Sequence, residues 1–123
     1  MRILYVEDDE IVRDLVRIML RDVAQTIDMA VNGREGLERF KEADYDLVFM
    51  DIEMPVMDGL DSCKEMRAWE DEQGKRHTPI VALTAYGLES DKLKSLEAGC
   101  DGHITKPMQK RDLLHALERY IKC

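Results

Sequence analysis

No stretch of this chain is apolar for the length that crosses a bilayer, and its opening residues, MRILYVEDDE, reach acidic side chains too early for a secretory leader. The expectation is a cytoplasmic protein that meets no membrane. Basic charge is in short supply: 18 Lys and Arg stand against 26 Asp and Glu, a net charge of −8. That balance disfavours a nucleic-acid or anionic-lipid surface and suits a protein that holds a cation. Cysteine is sparse too. Cys63, Cys100 and Cys123 are odd in number, far apart and without a CxxC pairing, so they read as reduced thiols, buried or incidental. Internal repeats, low-complexity tracts and domain boundaries are also missing. What remains is 123 residues, 45% hydrophobic and 36% charged, one domain's worth with enough material for a core.

Short apolar runs alternate with helical patterns along the whole chain. RILYVE, YDLVFMD and PIVALT read as buried strands, QTIDMA as a more polar edge strand and HIT as a short last strand. Helices are expected after each. In the first, Val12, Leu15, Val16, Met19, Leu20 and Val23 recur at helical spacing and predict one buried face. The others are NGREGLERFKEA, LDSCKEMRAWE, DKLKSLEAG and RDLLHALERYI; DEQGKRHT reads as a polar connector and MPVMDG, AYGLES and KPMQ as loops or turns. Five βα units of this kind predict an α/β domain: a doubly wound parallel sheet with helices on both faces and right-handed crossovers. Such sheets place ligands at the carboxyl ends of their strands.

Those ends carry the chemistry. The first strand ends in Glu7 and Asp8, the third in Asp51, the fourth in Thr84 and Ala85, and the fifth runs into Lys106 and Pro107. Each residue alone has an ordinary explanation: Asp8 or Asp9 as a helix cap, Asp51 as a loop cap, Thr84 as a β-branched strand end, Lys106 as a solvated cation. A parallel sheet would bring all of them to one edge, which chance does not readily supply. Glu7, Asp8 and Asp51 sum to −3, and Mg²⁺ with Lys106 would supply +3. Mg²⁺ takes oxygen ligands and is commonly held by one or two carboxylates with waters and phosphate oxygens. The combination points to phosphoryl chemistry, in which a carboxylate acts as nucleophile and forms an acyl phosphate.

With these residues in place, the segments VEDDE, DIEMPVMDG, ALTAY and ITKP resemble, in order and spacing and across essentially the whole chain, the response-regulator receiver domains of bacterial two-component signalling. The resemblance implies a strand order of 2-1-3-4-5 and a phosphorylation-dependent switch on a single receiver domain, residues 1–123, with no output domain. It implies that Asp51 accepts a phosphoryl group from a phosphohistidine and that Asp8, Asp51 and the backbone carbonyl of Glu53 bind Mg²⁺, for which Mn²⁺ substitutes. Glu7 acts on the metal through water. Lys106 pairs with Asp51 and then with a phosphoryl oxygen, Thr84 donates its hydroxyl and Ala85 its N–H, and the Lys106–Pro107 bond is cis. The implied partners are a histidine kinase or histidine phosphotransfer domain, with an output protein or a dimer formed through the face of the fourth and fifth helices. Such a domain promotes only its own phosphorylation and dephosphorylation and is not an enzyme that turns over a substrate.

The chain departs from the family at two positions. Glu7 replaces the more frequent Asp, and His103 stands where the family's swinging Tyr or Phe switch residue is usual. The connector AWEDEQGKRHTP resembles receivers of hybrid sensor kinases, so both a free-standing regulator and an excised receiver remain open. Ile11, Leu15 and Ile18 form an apolar stripe beside the acids and, with Pro107 and Met108, are the expected docking surface for the phosphotransfer partner. Two other functions compete. A Mg²⁺-dependent aspartyl-nucleophile phosphatase lacks support because Ile52 and Glu53 follow Asp51 with no DxD pair and no cap insertion. A phosphorylation-independent binding module predicts loss of an acid, the Thr or the Lys, and all are present.

Overall fold

The computed structural model describes residues 1–24, 26–54, 56–85 and 87–121; Cys123 lies outside them. Strands and helices alternate in the order β1 (Arg2–Val6), α1 (Glu10–Leu20), β2 (Thr26–Ala30), α2 (Gly33–Glu42), β3 (Leu47–Asp51), α3 (Gly59–Gln73), β4 (Ile80–Thr84), α4 (Glu89–Ala98), β5 (Gly102–Thr105) and α5 (Lys110–Tyr120). The five strands form one parallel sheet in the order β2-β1-β3-β4-β5. β3 and β4 are buried along their whole length because helices cover both faces, which is why their sequences are continuously apolar. β2 lies at the edge, and its outer half is partly exposed, as its polar composition predicts.

The strand period of two divides the core into two layers. Val48 and Met50 point to one side and meet Leu37, Phe40, Cys63, Met66 and Ala98 of α2, α3 and α4. Leu47 and Phe49 point to the other and meet Val16, Leu20, Leu113, Ala116 and Leu117 of α1 and α5. Each fully buried Val, Leu, Phe or Met of the core contributes roughly 1.5–3 kcal/mol, so both sandwich layers are anchored by the central strands that also deliver the polar residues at their ends.

Two expectations need correction. α3 does not stop at Glu70 but continues to Gln73, taking up the first residues of the supposed connector. The reason is tertiary: Glu70 is buried, pairs with Arg67 at 2.7 Å and accepts the Thr78 N–H at 2.8 Å, so the helix cannot end before it. It ends at Gly74, whose left-handed φ of 64° lets its N–H reach back to the last turn. The buried face of α1 is also narrower than its periodicity predicts. Val16 and Leu20 are buried and Val12 and Met19 half-buried, but Leu15 is 48% exposed and Val23 lies beyond the helix and is exposed.

The loop after β3 is shaped by two special positions. A Cβ at Gly59 would collide with the backbone oxygen of Asp51, so only glycine lets α3 start against the end of β3. Val56 is 75% exposed and has φ of 71°, a left-handed conformation that a β-branched residue resists. Asn tolerates this region without the backbone entropy that Gly loses on folding. Val56→Asn is therefore expected to stabilise the protein by about 0.5–1 kcal/mol, read as a higher midpoint in urea at unchanged slope; an unchanged or lower midpoint contradicts the strain.

Candidate functional site

β1, β3 and β4 end side by side. Val6 pairs with Met50, and Asp51 with Leu83, so the residues that follow β1 and β4 flank the Asp51 carboxylate. The four consecutive acids that open the β1–α1 loop then take separate tasks. Glu7 turns into the sheet and is only 2% exposed, as is Asp51. Asp8 stays exposed at the rim. Asp9 caps α1, its carboxylate accepting the N–H groups of Ile11 at 2.9 Å and Val12 at 3.4 Å. Glu10 lies in the first helical turn, where the helix dipole favours an acid. Of the two residues weighed as caps, Asp9 is the cap and Asp8 is free for another purpose.

Lys106 closes the pocket from β5. Its Nζ is 2.9 Å from Asp51 Oδ2 and 3.2 Å from Glu7 Oε1. Its backbone N–H donates to the Thr84 carbonyl at 2.7 Å, and the Lys106–Pro107 peptide is cis. Asp51 Oδ1 accepts the Glu53 N–H at 3.1 Å, which places the Glu53 backbone at the pocket wall. Thr84 is buried at the end of β4, with Ala85 exposed just beyond it.

The electrostatics are unbalanced. Carboxylate oxygens of Glu7, Asp8 and Asp51 all lie within 4.8 Å of one another, against the single ammonium of Lys106. Burial, together with the hydrogen bond and charge of Asp51, pushes the Glu7 carboxyl up to about 7, with Lys106 opposing the rise. Burial alone would lower Lys106, but the hydrogen bond to Asp51 and the charges of Asp51 and Glu7 outweigh it and hold the ammonium above its ordinary value. Glu7 Oε1 is buried, and among the described residues its polar contact is the ion pair with Lys106 Nζ at 3.2 Å. A buried carboxylate oxygen that shares its one ammonium with Asp51, beside two further carboxylates, fits a hard divalent cation.

Other residues divide between the pocket and its surroundings. Leu15, Pro107 and Met108 line one groove of about 320 Å³ together with Val12, Met19, Ala85 and Lys106. Ile11 and Ile18 are exposed but do not line it; Ile18 faces a separate shallow hollow with Arg17 and Ile27. The expected stripe is thus split, and Val12 and Met19, predicted as core, form the groove floor. His103 is exposed on β5 in a groove of about 450 Å³ shared with His115, Arg119 and Tyr120 of α5, away from the acids. Tyr5 has no signal in the sequence beyond its place in a strand. Its buried hydroxyl hydrogen-bonds Met108 Sδ at 3.3 Å, and burial with the negative charges of Glu7 and Asp51 keeps the phenol protonated. Arg13 likewise escapes notice, yet its guanidinium donates to the Glu7 carbonyl at 2.8 Å and fixes the loop that carries the acids.

A parallel sheet of this order, with an acid–lysine cluster at its carboxyl edge, defines a phosphoacceptor class of domain. The family model described as the response regulator receiver domain matches residues 3–118, and the chain belongs to that family. It is 40% identical over 122 residues to hybrid signal transduction histidine kinase G of Dictyostelium discoideum, covering 98% of this chain and 4% of that protein. The chain spans 4% to 13% of the length of the hybrid and probable histidine kinases it first matches. Among solved structures it is similar to the receiver domain of the response regulator Ssk1 from Saccharomyces cerevisiae, co-crystallised with the histidine phosphotransfer protein Ypd1: TM-score 0.92, 33% identity, 98% of this chain and 88% of that one. It is also similar to the receiver domain of sensor histidine kinase PA1611 from Pseudomonas aeruginosa, which holds a magnesium ion in its active-site cleft: TM-score 0.85, 31% identity, 98% and 96% coverage. Among the described residues no helix is long and apolar enough to cross a membrane.

The raised Glu7 carboxyl has a consequence for stability. Its folded-state value of about 7 lies above the ordinary carboxyl value of 4.5, so the folded protein holds this proton more tightly than the unfolded chain does. The resulting stabilisation is complete below the unfolded value and is lost as pH rises through the folded one. Without divalent cations, stability measured in urea is expected to fall between these limits by on the order of 2 kcal/mol more in the wild type than in Glu7→Gln. Parallel pH profiles of the two proteins would show that Glu7 does not titrate in this window.

Proposed function

We propose that this domain accepts a phosphoryl group from a phosphohistidine onto Asp51 in a Mg²⁺-dependent reaction and relays the signal by changing conformation or passing the group onward. The observation that carries this reading is the buried Asp51 carboxylate, held 2.9 Å from Lys106 and surrounded by two further acids. Asp8, Asp51 and the Glu53 carbonyl are the groups to hold the metal, with Glu7 acting through water, and Mn²⁺ would serve in place of Mg²⁺. Bound there, the cation would neutralise charge on the acids and on the incoming phosphoryl oxygens.

The chain's own residues do the rest. Asp51 supplies a carboxylate oxygen that forms a bond to phosphorus while the phosphorus–nitrogen bond of the phosphohistidine breaks and the electron pair returns to the imidazole. Lys106 is released from neutralising Asp51 to neutralise a phosphoryl oxygen. Thr84 offers its hydroxyl and Ala85 its N–H to the remaining oxygens, so that the new group draws the β4 end towards it. This assigns Thr84 as the switch, with His103 as the second switch position on the face that changes. Chemistry is confined to the domain's own phosphorylation and dephosphorylation, with no separate substrate turned over.

The groove of Leu15, Pro107 and Met108, flanked by the exposed Ile11 and Ile18, is the docking surface for a histidine kinase or a histidine phosphotransfer domain. The similarity to the Ssk1 receiver, crystallised with Ypd1, supports this partner class. Signal output is assigned to a protein partner or a second receiver that recognises the α4–β5–α5 face, in the cytoplasm, with residues 1–123 acting as one receiver unit.

Incubation with Mg²⁺ and a small acyl-phosphate donor, followed by mass spectrometry, tests the assignment. Wild type is expected to gain one phosphoryl group on Asp51 and Asp51→Asn none; undiminished labelling of the variant contradicts it. In the same preparations, Asp8→Ala is expected to weaken Mg²⁺ binding at least tenfold by calorimetry, equivalent to about 1.4 kcal/mol. Glu7→Ala is expected to weaken it less. Equal affinity of Asp8→Ala and wild type contradicts the ligand role.

A further inference from the structure

Two thiols that take no part in the acid pocket meet inside the core. Cys63 lies in α3 and Cys100 in the link between α4 and β5; 37 positions apart in sequence, their Sγ atoms are 3.4 Å apart. Both are free and buried. Buried cysteines commonly act as small apolar residues, a role that does not require their sulfurs to meet. Here the Cys100 thiol donates to Cys63 Sγ, so the two side chains converge.

A side chain of α3 fixes the segment that carries Cys100. Arg67, one turn after Cys63 on the same helix, donates from Nε to the Gly99 carbonyl at 2.9 Å and from Nη2 to Asp101 Oδ2 at 2.8 Å. One side chain of α3 therefore grips the residues on both sides of Cys100. Gly99 has φ of 104°, and a Cβ there would run into Arg67 Cγ, so the turn that presents Cys100 depends on this glycine. The hydrogen bond from Cys100 lowers the Cys63 thiol, as does the charge of Arg67, while burial opposes them; Cys100 is raised by the same hydrogen bond and by burial. In this contact Cys100 is the donor and Cys63 the acceptor.

We propose that Cys63 and Cys100 are a built redox pair that closes to an intramolecular disulfide when the folded protein meets a small peroxide. Cys63 sulfur attacks one peroxide oxygen: a sulfur–oxygen bond forms, the oxygen–oxygen bond breaks, and the departing hydroxide takes the thiol proton as water. Cys63 is then a sulfenic acid, oxidised by two electrons that the peroxide has gained. Cys100 sulfur attacks Cys63 sulfur; the sulfur–sulfur bond forms, the sulfur–oxygen bond breaks, and hydroxide leaves with the Cys100 proton as a second water. Closure brings the sulfurs from 3.4 Å to a bond of about 2.05 Å. The bond staples α3 to the start of β5.

The test uses the folded chain carrying Cys123→Ser, so that only this pair can react. After hydrogen peroxide and quenching, mass spectrometry is expected to show the loss of two hydrogen atoms and linkage of the peptides containing Cys63 and Cys100, reversed by dithiothreitol. Cys63→Ala and Cys100→Ala in the same background should give no such link. The linked protein should melt about 5 °C or more above its reduced form, because the bond restricts the unfolded chain. If both thiols remain alkylatable on unfolding after peroxide treatment, the pair is not redox-active and the proposal fails. A linked protein that melts no higher than the reduced one overturns the claim that the site is built for the bond.

Discussion

Lys106 stands between Asp51 and Glu7, within 3.2 Å of both, and this contact holds together an edge that like charge would otherwise drive apart. At an effective dielectric near 20, two charges 4 Å apart interact by about 4 kcal/mol, a large share of the stability of a domain this size. Two nearly inaccessible carboxylates therefore need a cation, and a third, Asp8, stands at the rim with no ion pair of its own among the described residues. The ammonium offsets one charge. A proton on Glu7 offsets a second; burial first, then the hydrogen bond and charge of Asp51, push that carboxyl up to about 7. A divalent cation would offset the remainder without a proton, so protonation of Glu7 and cation binding are alternative answers to one electrostatic demand.

Backbone geometry brings this demand about. The parallel register sets Asp51 against Leu83 and Thr84 against Thr105, so a residue one place past each strand end lies at the same edge. The Lys106 N–H to Thr84 carbonyl bond ties the lysine loop to the end of β4. Gly59 lets α3 begin directly over the Asp51 carbonyl, and Arg13 fastens the Glu7 carbonyl from α1. None of these contacts touches the reacting atoms, but each removes a freedom that would let the acids move apart.

What could be read from the sequence follows from which interactions are local. The five βα units, the edge character of β2 and the gathering of Glu7, Asp8, Asp51, Thr84 and Lys106 all follow from strand period and sheet handedness. The length of α3 was not legible, because Glu70 is held by Arg67 and by the Thr78 N–H, a partner eight residues on. Helical spacing placed Leu15 with Val16 and Leu20, yet spacing cannot tell how far the covering layer extends, and Leu15 lies past its edge. The left-handed Val56 contradicts its own residue type. Tyr5 contacts Met108 from 103 positions away, which no local pattern encodes.

The far end of the sheet shows that the imbalance at the acid pocket is not simply the price of an acidic chain. At the amino ends of β4 and β5, Arg67 bonds Glu70 at 2.7 Å and Asp101 at 2.8 Å, and Asp101 also accepts the Ile80 N–H and lies 2.6 Å from His77 Nε2. There one guanidinium bridges two carboxylates that also accept backbone N–H groups, and Asp101 has an imidazole besides, the arrangement expected where buried charge serves only the fold. Among the described residues, the same chain leaves Glu7, Asp8 and Asp51 with one lysine, whose ammonium is the cation beside both buried carboxylates. A protein that completes one acidic cluster and leaves the other short of positive charge has kept the second open to something that supplies it. The deficit of two charges around the buried Asp51 carboxylate is one that a divalent cation would balance.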